Sequence, residues 1–365
     1  MSLEELVPKP APFPSTAKAP LAAGRTRIDT ALSQFLADKE HDAANPQVSM
    51  LVGWLKEFLA GGKRLRPLLC CYGWRAACGA QDELPGTVTR VAASLELFHA
   101  FALIHDDVMD DSDTRRGRPA VHRLIADRHP HHPAAEKLGR NMAILLGDLA
   151  LGWSYELART AGTGPAQSAA LWPLLDAMRV ETMTGQYLDL LGPSSSSDLQ
   201  HALKIYRYKT AKYTIDYPLR IGASLAGATP RQLRAMTAYA TPLGEAFQMR
   251  DDLLGVFGDP QVTGKPCLDD LREGKHTALI ALAYQRAAPA QARLLRSRLG
   301  DVGLTPEQAE EVRALLAELE VPAAVEQMID QRHQQAIGSL TSPPFTPAAI
   351  TMLRDIALTT VDRDR

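Results

Sequence analysis

An excess of charge of one sign is missing from this 365-residue chain: 40 lysines and arginines stand against 42 aspartates and glutamates, for a net charge of -2. That balance gives no basis for nucleic acid or an acidic membrane as a partner, so any anion site must come from local clustering. Cysteine is scarce as well. Cys70, Cys71, Cys78 and Cys267 form no C-x-x-C pair and lie in apolar helical surroundings, which predicts buried free thiols in a reducing cytoplasm. No apolar run reaches the roughly 18 residues of a membrane span. The start is rich in Pro and Ala and has early glutamates rather than a basic start and an apolar core, so it does not read as a signal peptide. Residues 1–22 are expected to be a disordered tail, with one domain over 23–365. Strand-like alternation, repeats of about 20–50 residues and a Gly-rich Rossmann turn are also missing. Helical spacing is what remains, as in Ile28, Leu32, Phe35 and Leu36. Asn45-Pro46 reads as the start of a helix that stops at Gly61-Gly62.

Two acidic clusters interrupt this pattern. Asp106, Asp107, Asp110, Asp111 and Asp113 fall within eight residues, after an apolar run ending at Ile104. In a helix, Asp106 and Asp110 share a face, as do Asp107 and Asp111, and like charges at that spacing repel. A solvated acidic helix end fits this pattern, and so does a site for a hard cation such as Mg²⁺, which takes one or two carboxylates and completes its shell with water and phosphate. A second pair, Asp251-Asp252, again closes an apolar helical stretch. Two such pairs far apart in sequence favour facing helices that present oxygen ligands to one cavity. Basic clusters accompany them. Lys63, Arg64 and Arg66 follow two glycines, and Arg115-Arg116 follow the first acidic run. Guanidinium groups of this kind can grip phosphate oxygens.

Phe247-Gln248-Met249-Arg250-Asp251-Asp252 matches F-Q-x-x-D-D, and the first run matches D-D-x-x-D followed by R-R-G-x-P. With G-G-K-R-x-R-P at 61–67, G-Q-x-x-D-L at 185–190 and Lys209-Thr210, the chain resembles the trans-isoprenyl diphosphate synthases of the polyprenyl synthetase family from about Gly61 to Lys275. The resemblance implies an all-α fold, a single bundle of antiparallel helices around a deep central cavity, acting as a homodimer. It implies Mg²⁺ on Asp106, Asp110 and Asp251, with Asp107, Arg115 and Lys209 completing the catalytic set. Lys63, Arg66, His99 and Arg116 would bind isopentenyl diphosphate, with Arg64 assisting. Arg115, Lys209, Thr210 and Lys265 would meet an allylic diphosphate, Gln248 would share the face of Asp251, and Lys275 could join when its loop closes. Gln186 and Asp189 would line the cavity, or form a polar network in the core.

The implied reaction ionises the allylic diphosphate. The double bond of isopentenyl diphosphate attacks the resulting cation, and a proton then leaves to the departing diphosphate. Phe101 lies five residues before Asp106, about 7 Å along a helix. An aromatic there with the small Ala102 next to it resembles geranylgeranyl synthases, so a twenty-carbon product is expected. Farnesyl diphosphate is the alternative product. A terpene cyclase and a non-catalytic prenyl-diphosphate-binding subunit are the alternatives from other classes. Gly255 stands where some relatives carry a third aspartate, which leaves the ligands of the second motif open, with Asp252 and the later Asp259 available.

Overall fold

The computed structural model describes residues 15–42, 45–79, 83–115, 117–192, 195–258, 268–341 and 344–361. These residues form helices almost throughout. The exception is a hairpin of β1 (Thr114–Arg115) and β2 (Arg118–Pro119), in which Thr114 pairs with Pro119 and Arg115 with Arg118. Helix α1 spans Ser15–His41 and so begins inside the stretch expected to be a tail, while residues 1–14 lie outside those described. Helix α2, Pro46–Leu59, starts as expected: the Asn45 side chain accepts a hydrogen bond from the Gln47 amide, with Pro46 just inside.

Helix α3 (Leu65–Cys78) precedes α4 (Gly86–Met109), the axis of the N-terminal half. Apolar residues surround α4 on every side, and Val91, Leu95, Leu97, Phe98 and Ile104 are buried within the same helix. A helix apolar all round belongs in a core. By length and mean hydropathy (1.3) α4 could cross a membrane, but 78% of that window is buried inside the protein. It packs on α6 (Ala135–Arg159), which in turn holds the short α5 (Val121–Asp127). Helix α7 (Pro165–Leu191) and α8 (Leu199–Ile205) lead into an 11-residue π-helix, Tyr206–Asp216. Helix α9 (Tyr217–Leu225) follows and packs on α3.

Helix α10, Pro230–Phe257, opens with a capping box between Thr229 and Gln232 and carries the second acidic motif at its far end. After it come α11 (Asp269–Arg272), α12 (Ala278–Arg286), α13 (Pro289–Arg298), α14 (Pro306–Glu318), α15 (Val321–Gly338) and α16 (Pro347–Val361). One buried cluster is centred on α4 and a second on α10. The π-helix packs on both α7 and α10, and so lies between the two. Cys70 and Cys71 are buried free thiols, as expected. Cys78 differs: it is the last residue of α3 and is exposed. Cys267 lies outside the described residues.

Candidate active site

The end of α4 collects charge from three other segments. Asp106 lies in its last turn and Asp110 caps it four residues on, its amide donating to the Asp106 carbonyl. Lys209 reaches them from the π-helix: its Nζ donates to Asp106 Oδ1 at 2.8 Å and to Asp189 Oδ2, on α7, at 2.5 Å. Arg115, from β1, donates its Nε to Asp107 Oδ1 at 2.7 Å, and a terminal nitrogen bonds the same oxygen and lies 3.5 Å from Asp106 Oδ2. Lys275, in the loop after α11, lies 3.3 Å from Asp110 Oδ2 and 2.6 Å from Glu273 Oε2. Ser112 donates to the other oxygen of Glu273 at 3.3 Å, which ties that loop to the first acidic run.

These contacts set the proton affinities. Burial alone would raise the Asp106 carboxyl, but Lys209, Lys275 and Arg115 hold it down to about 2. Burial pushes Asp110 up to about 6, and the neighbouring Asp106 charge adds to the rise. Burial opposes the charge of Lys209 and of Lys275, yet the surrounding carboxylates outweigh it and both are raised. Asp107 is fully buried under Arg115, so its role in this arrangement is to seat the guanidinium. Asp110 Oδ2 is buried and takes no hydrogen bond, only the ion pair to Lys275.

The second motif divides between two environments. Asp251 is half-buried. Asp252 points into the core: Tyr206 of the π-helix donates to its Oδ2, and Gln248 donates to its Oδ1 at 2.8 Å. Gln248 therefore bonds Asp252, one turn on, while lying three residues before Asp251 on the same helix. Tyr206 Oη also accepts the Ala278 amide at 2.6 Å, so one hydroxyl joins the π-helix, α10 and the start of α12. Burial pushes Asp252 up to about 7 against these hydrogen bonds, and the charge of Asp270 contributes to the rise. At Gly255 a Cβ would lie 1.9 Å from Asp270 Oδ2. Asp270 of α11 thus fills the space where a third aspartate on α10 would begin, and its charge also acts on Lys275.

A third group lies around Arg66. Its NH2 donates to Tyr213 Oη at 3.0 Å and to Thr214 Oγ1 at 2.8 Å, and the guanidinium stacks 4.5 Å from the Tyr213 ring centre. Tyr213 Oη lies 3.4 Å from His99 Nδ1. Arg66, His99 and the π-helix therefore meet, whereas Lys63 is exposed beside them. Arg64 is turned away and bonded to Asp29 and Glu96. Thr210 is half-buried on the π-helix next to Lys209, and Gln186 lies 3.6 Å from the Met109 sulfur. Arg116, Asp259 and Lys265 lie outside the described residues. Among the described residues no three His, Cys, Asp or Glu side chains converge as a ready cation cage; ammonium and guanidinium groups face the carboxylates instead.

Further down α4, Phe101 is buried, its ring edge-on to Phe98 at 5.5 Å and to His105 at 5.0 Å. Ala102 is half-buried. Beyond it, Ser94, Leu95 and Phe98 of α4, Ser154 and Tyr155 of α6, and Leu175 and Met178 of α7 line a crevice too tight to admit a water molecule. Tyr206, Tyr213, Asp270 and Glu273 were not singled out from sequence. Only Gly255, a gap in an otherwise regular acidic motif, hinted that a carboxylate must come from elsewhere.

The family model for polyprenyl synthetases matches residues 48–319. A short chain isoprenyl diphosphate synthase of Methanothermobacter thermautotrophicus is 35% identical over 241 residues, 66% of this chain and 69% of the relative. A geranylfarnesyl diphosphate synthase of Aeropyrum pernix is 37% identical over 232 residues, 62% of this chain and 68% of the relative. Among solved structures, a geranylgeranyl pyrophosphate synthase from Corynebacterium glutamicum, complexed with isoprenyl diphosphate and magnesium, superposes with a TM-score of 0.89 at 38% identity, covering 94% of this chain and 98% of that one. The helical architecture, the two acidic helix ends and these matches agree, and the chain belongs to the polyprenyl synthetase family, as a prenyltransferase of the isoprenyl diphosphate synthase type.

Proposed function

We propose that this short-chain prenyl diphosphate synthase condenses isopentenyl diphosphate with allylic diphosphates and stops at geranylgeranyl diphosphate. The observation that carries the reading is the layout of α4. Paired carboxylates ringed by Lys209, Arg115 and Lys275 cap one end, and the buried Phe101, edge-on to Phe98, stands below them on the same helix. Lys209 and Arg115 would take the charge that gathers on the diphosphate oxygens as the allylic carbon–oxygen bond breaks. Arg66, Lys63 and His99 would hold isopentenyl diphosphate so that its double bond faces the cation. The apolar wall around Phe98 and Phe101 would keep water from quenching it.

The donor set suits Mg²⁺. It consists of hard carboxylate oxygens, and Asp110 Oδ2 is buried with no hydrogen bond beside a charged Asp106. Asp106, Asp110 and Asp251 would hold the ion, which supplies Lewis-acid neutralisation of the diphosphate. We also propose a homodimer. Val180, Met183, Tyr187 and Leu190 recur at helical spacing along α7 and are 58%, 43%, 62% and 56% exposed, with Ile144 and Leu145 of α6 exposed as well. An apolar stripe of this kind fits burial against a second copy. A cytoplasmic setting suits the exposed free thiol of Cys78.

The test is product length. The protein, Mg²⁺, isopentenyl diphosphate and each allylic primer are incubated, and the alcohols released by phosphatase are identified. Geranylgeraniol is expected. Phe101→Ala should then give longer products, because the ring no longer blocks the path towards Phe98. Farnesol as the main product would overturn the length assignment, and no condensation with any primer would overturn the reading as a whole.

A further inference from the structure

The three cations of the 61–67 loop look interchangeable in sequence, but the structure separates them. Arg64 is 7% exposed. Its Nε donates to Asp29 Oδ1 at 2.7 Å, one terminal nitrogen to Glu96 Oε1 at 2.9 Å, and the other to the Leu59 carbonyl at 2.8 Å. Every nitrogen of the guanidinium is thus committed to protein, and to three different elements: α1, α4 and the end of α2. The backbone of Arg64 is left-handed, with φ 54° and ψ 33°, immediately before the first residue of α3. A residue with a Cβ seldom holds that conformation unless its surroundings over-determine it. Arg66 contrasts with it. Its buried Nε makes no hydrogen bond, and its neighbours are neutral hydroxyls rather than carboxylates.

Glu96 lies on α4 one turn before His99, and residues three apart share a helix face. The Arg64 clasp therefore joins Lys63 and the first turn of α3, which carries Arg66, to the turn of α4 that carries His99. We propose that Arg64 is a positioning residue: through Glu96 and Asp29 it fixes the loop against α4, so that Lys63, Arg66 and His99 converge on one diphosphate, and it does not touch that diphosphate itself. This rests on the assignment of isopentenyl diphosphate to that loop.

The two roles open to Arg64 predict opposite responses to loosening the clasp. Glu96→Gln and Asp29→Asn each keep the shape of the partner and remove one charge from it. If Arg64 positions the loop, both raise the KM for isopentenyl diphosphate by about tenfold. The KM for the allylic substrate and kcat should stay within about twofold. Calorimetric titration with isopentenyl diphosphate alone should show the same loss of affinity, and thermal melts identify a variant that has merely unfolded. Should Glu96→Gln unfold, Asp29→Asn carries the test, because the Asp29 carboxylate is partly exposed. If Arg64 were itself a ligand, freeing it would leave the KM for isopentenyl diphosphate unchanged or lower it, and that result overturns the proposal. Active wild type with unmoved variants sinks this inference alone. Wild type that neither condenses nor binds isopentenyl diphosphate sinks the functional reading along with it.

Discussion

Lys209 bridges two helices at the candidate site, with bonds to Asp106 on α4 and Asp189 on α7. Charge-assisted bonds of this sort are about twice as strong as neutral ones. Lys209→Ala should lower kcat/KM by about 100-fold or more, measured by release of labelled product at saturating isopentenyl diphosphate. Asp252 is a residue of a different kind. Its carboxyl is pushed up to about 7, so the folded state holds that proton more tightly than the unfolded chain does. Its contribution to stability is therefore lost as pH rises from about 4 to about 7, at up to about 1.4 kcal/mol per pH unit. Asp252→Asn should remove that slope, and melts of both proteins between pH 5 and pH 8 should diverge most at the alkaline end. From sequence, the resemblance put Asp251 among the Mg²⁺ ligands and left the part of Asp252 open. Nothing in an Asp-Asp pair says which carboxylate faces the core, because that depends on Tyr206 and Gln248 arriving from other turns.

At the scale of elements, the helix starts were legible where they rest on local chemistry. Asn45-Pro46 satisfies its own cap, and that needs no distant partner. The π-helix was not legible. Its five-residue hydrogen-bond spacing is rare and leaves no pattern of its own in sequence. Gly185 of α7 shows how it is accommodated, since a Cβ there would lie 2.2 Å from the Lys209 amide nitrogen. Gly185→Ala must push α7 away from the π-helix, with a cost of about 1–3 kcal/mol. Urea unfolding should show that loss, and the KM for the allylic substrate should rise with it, because Asp189 rides on the displaced helix. The role of Gly185 could not be foreseen for the same reason: the backbone it meets lies 24 residues further on.

For the whole molecule, the all-α fold was implied by the family resemblance and agrees with the helical spacing, and the apolar run ending at Ile104 lies in the buried α4. Surfaces were harder to foresee. The α7 stripe is helical in period like any core face, and only the structure shows that no described element covers it. Val180→Glu combined with Leu190→Glu should halve the mass measured by light scattering, with helical content unchanged. A mass unaltered by both charges would place the contact between copies elsewhere.

Three residues of the π-helix lie between Lys209, which holds the first acidic run, and Tyr213, which holds Arg66 and lies beside His99. The two proposed substrate sites would in this sense be served by one helix, so a ligand that shifts it at one end would change the fit at the other. Coupling of that sort is reciprocal. If an allylic diphosphate tightens the hold on isopentenyl diphosphate, isopentenyl diphosphate must tighten the hold on the allylic partner by the same factor, and binding of the two substrates becomes cooperative without any contact between them.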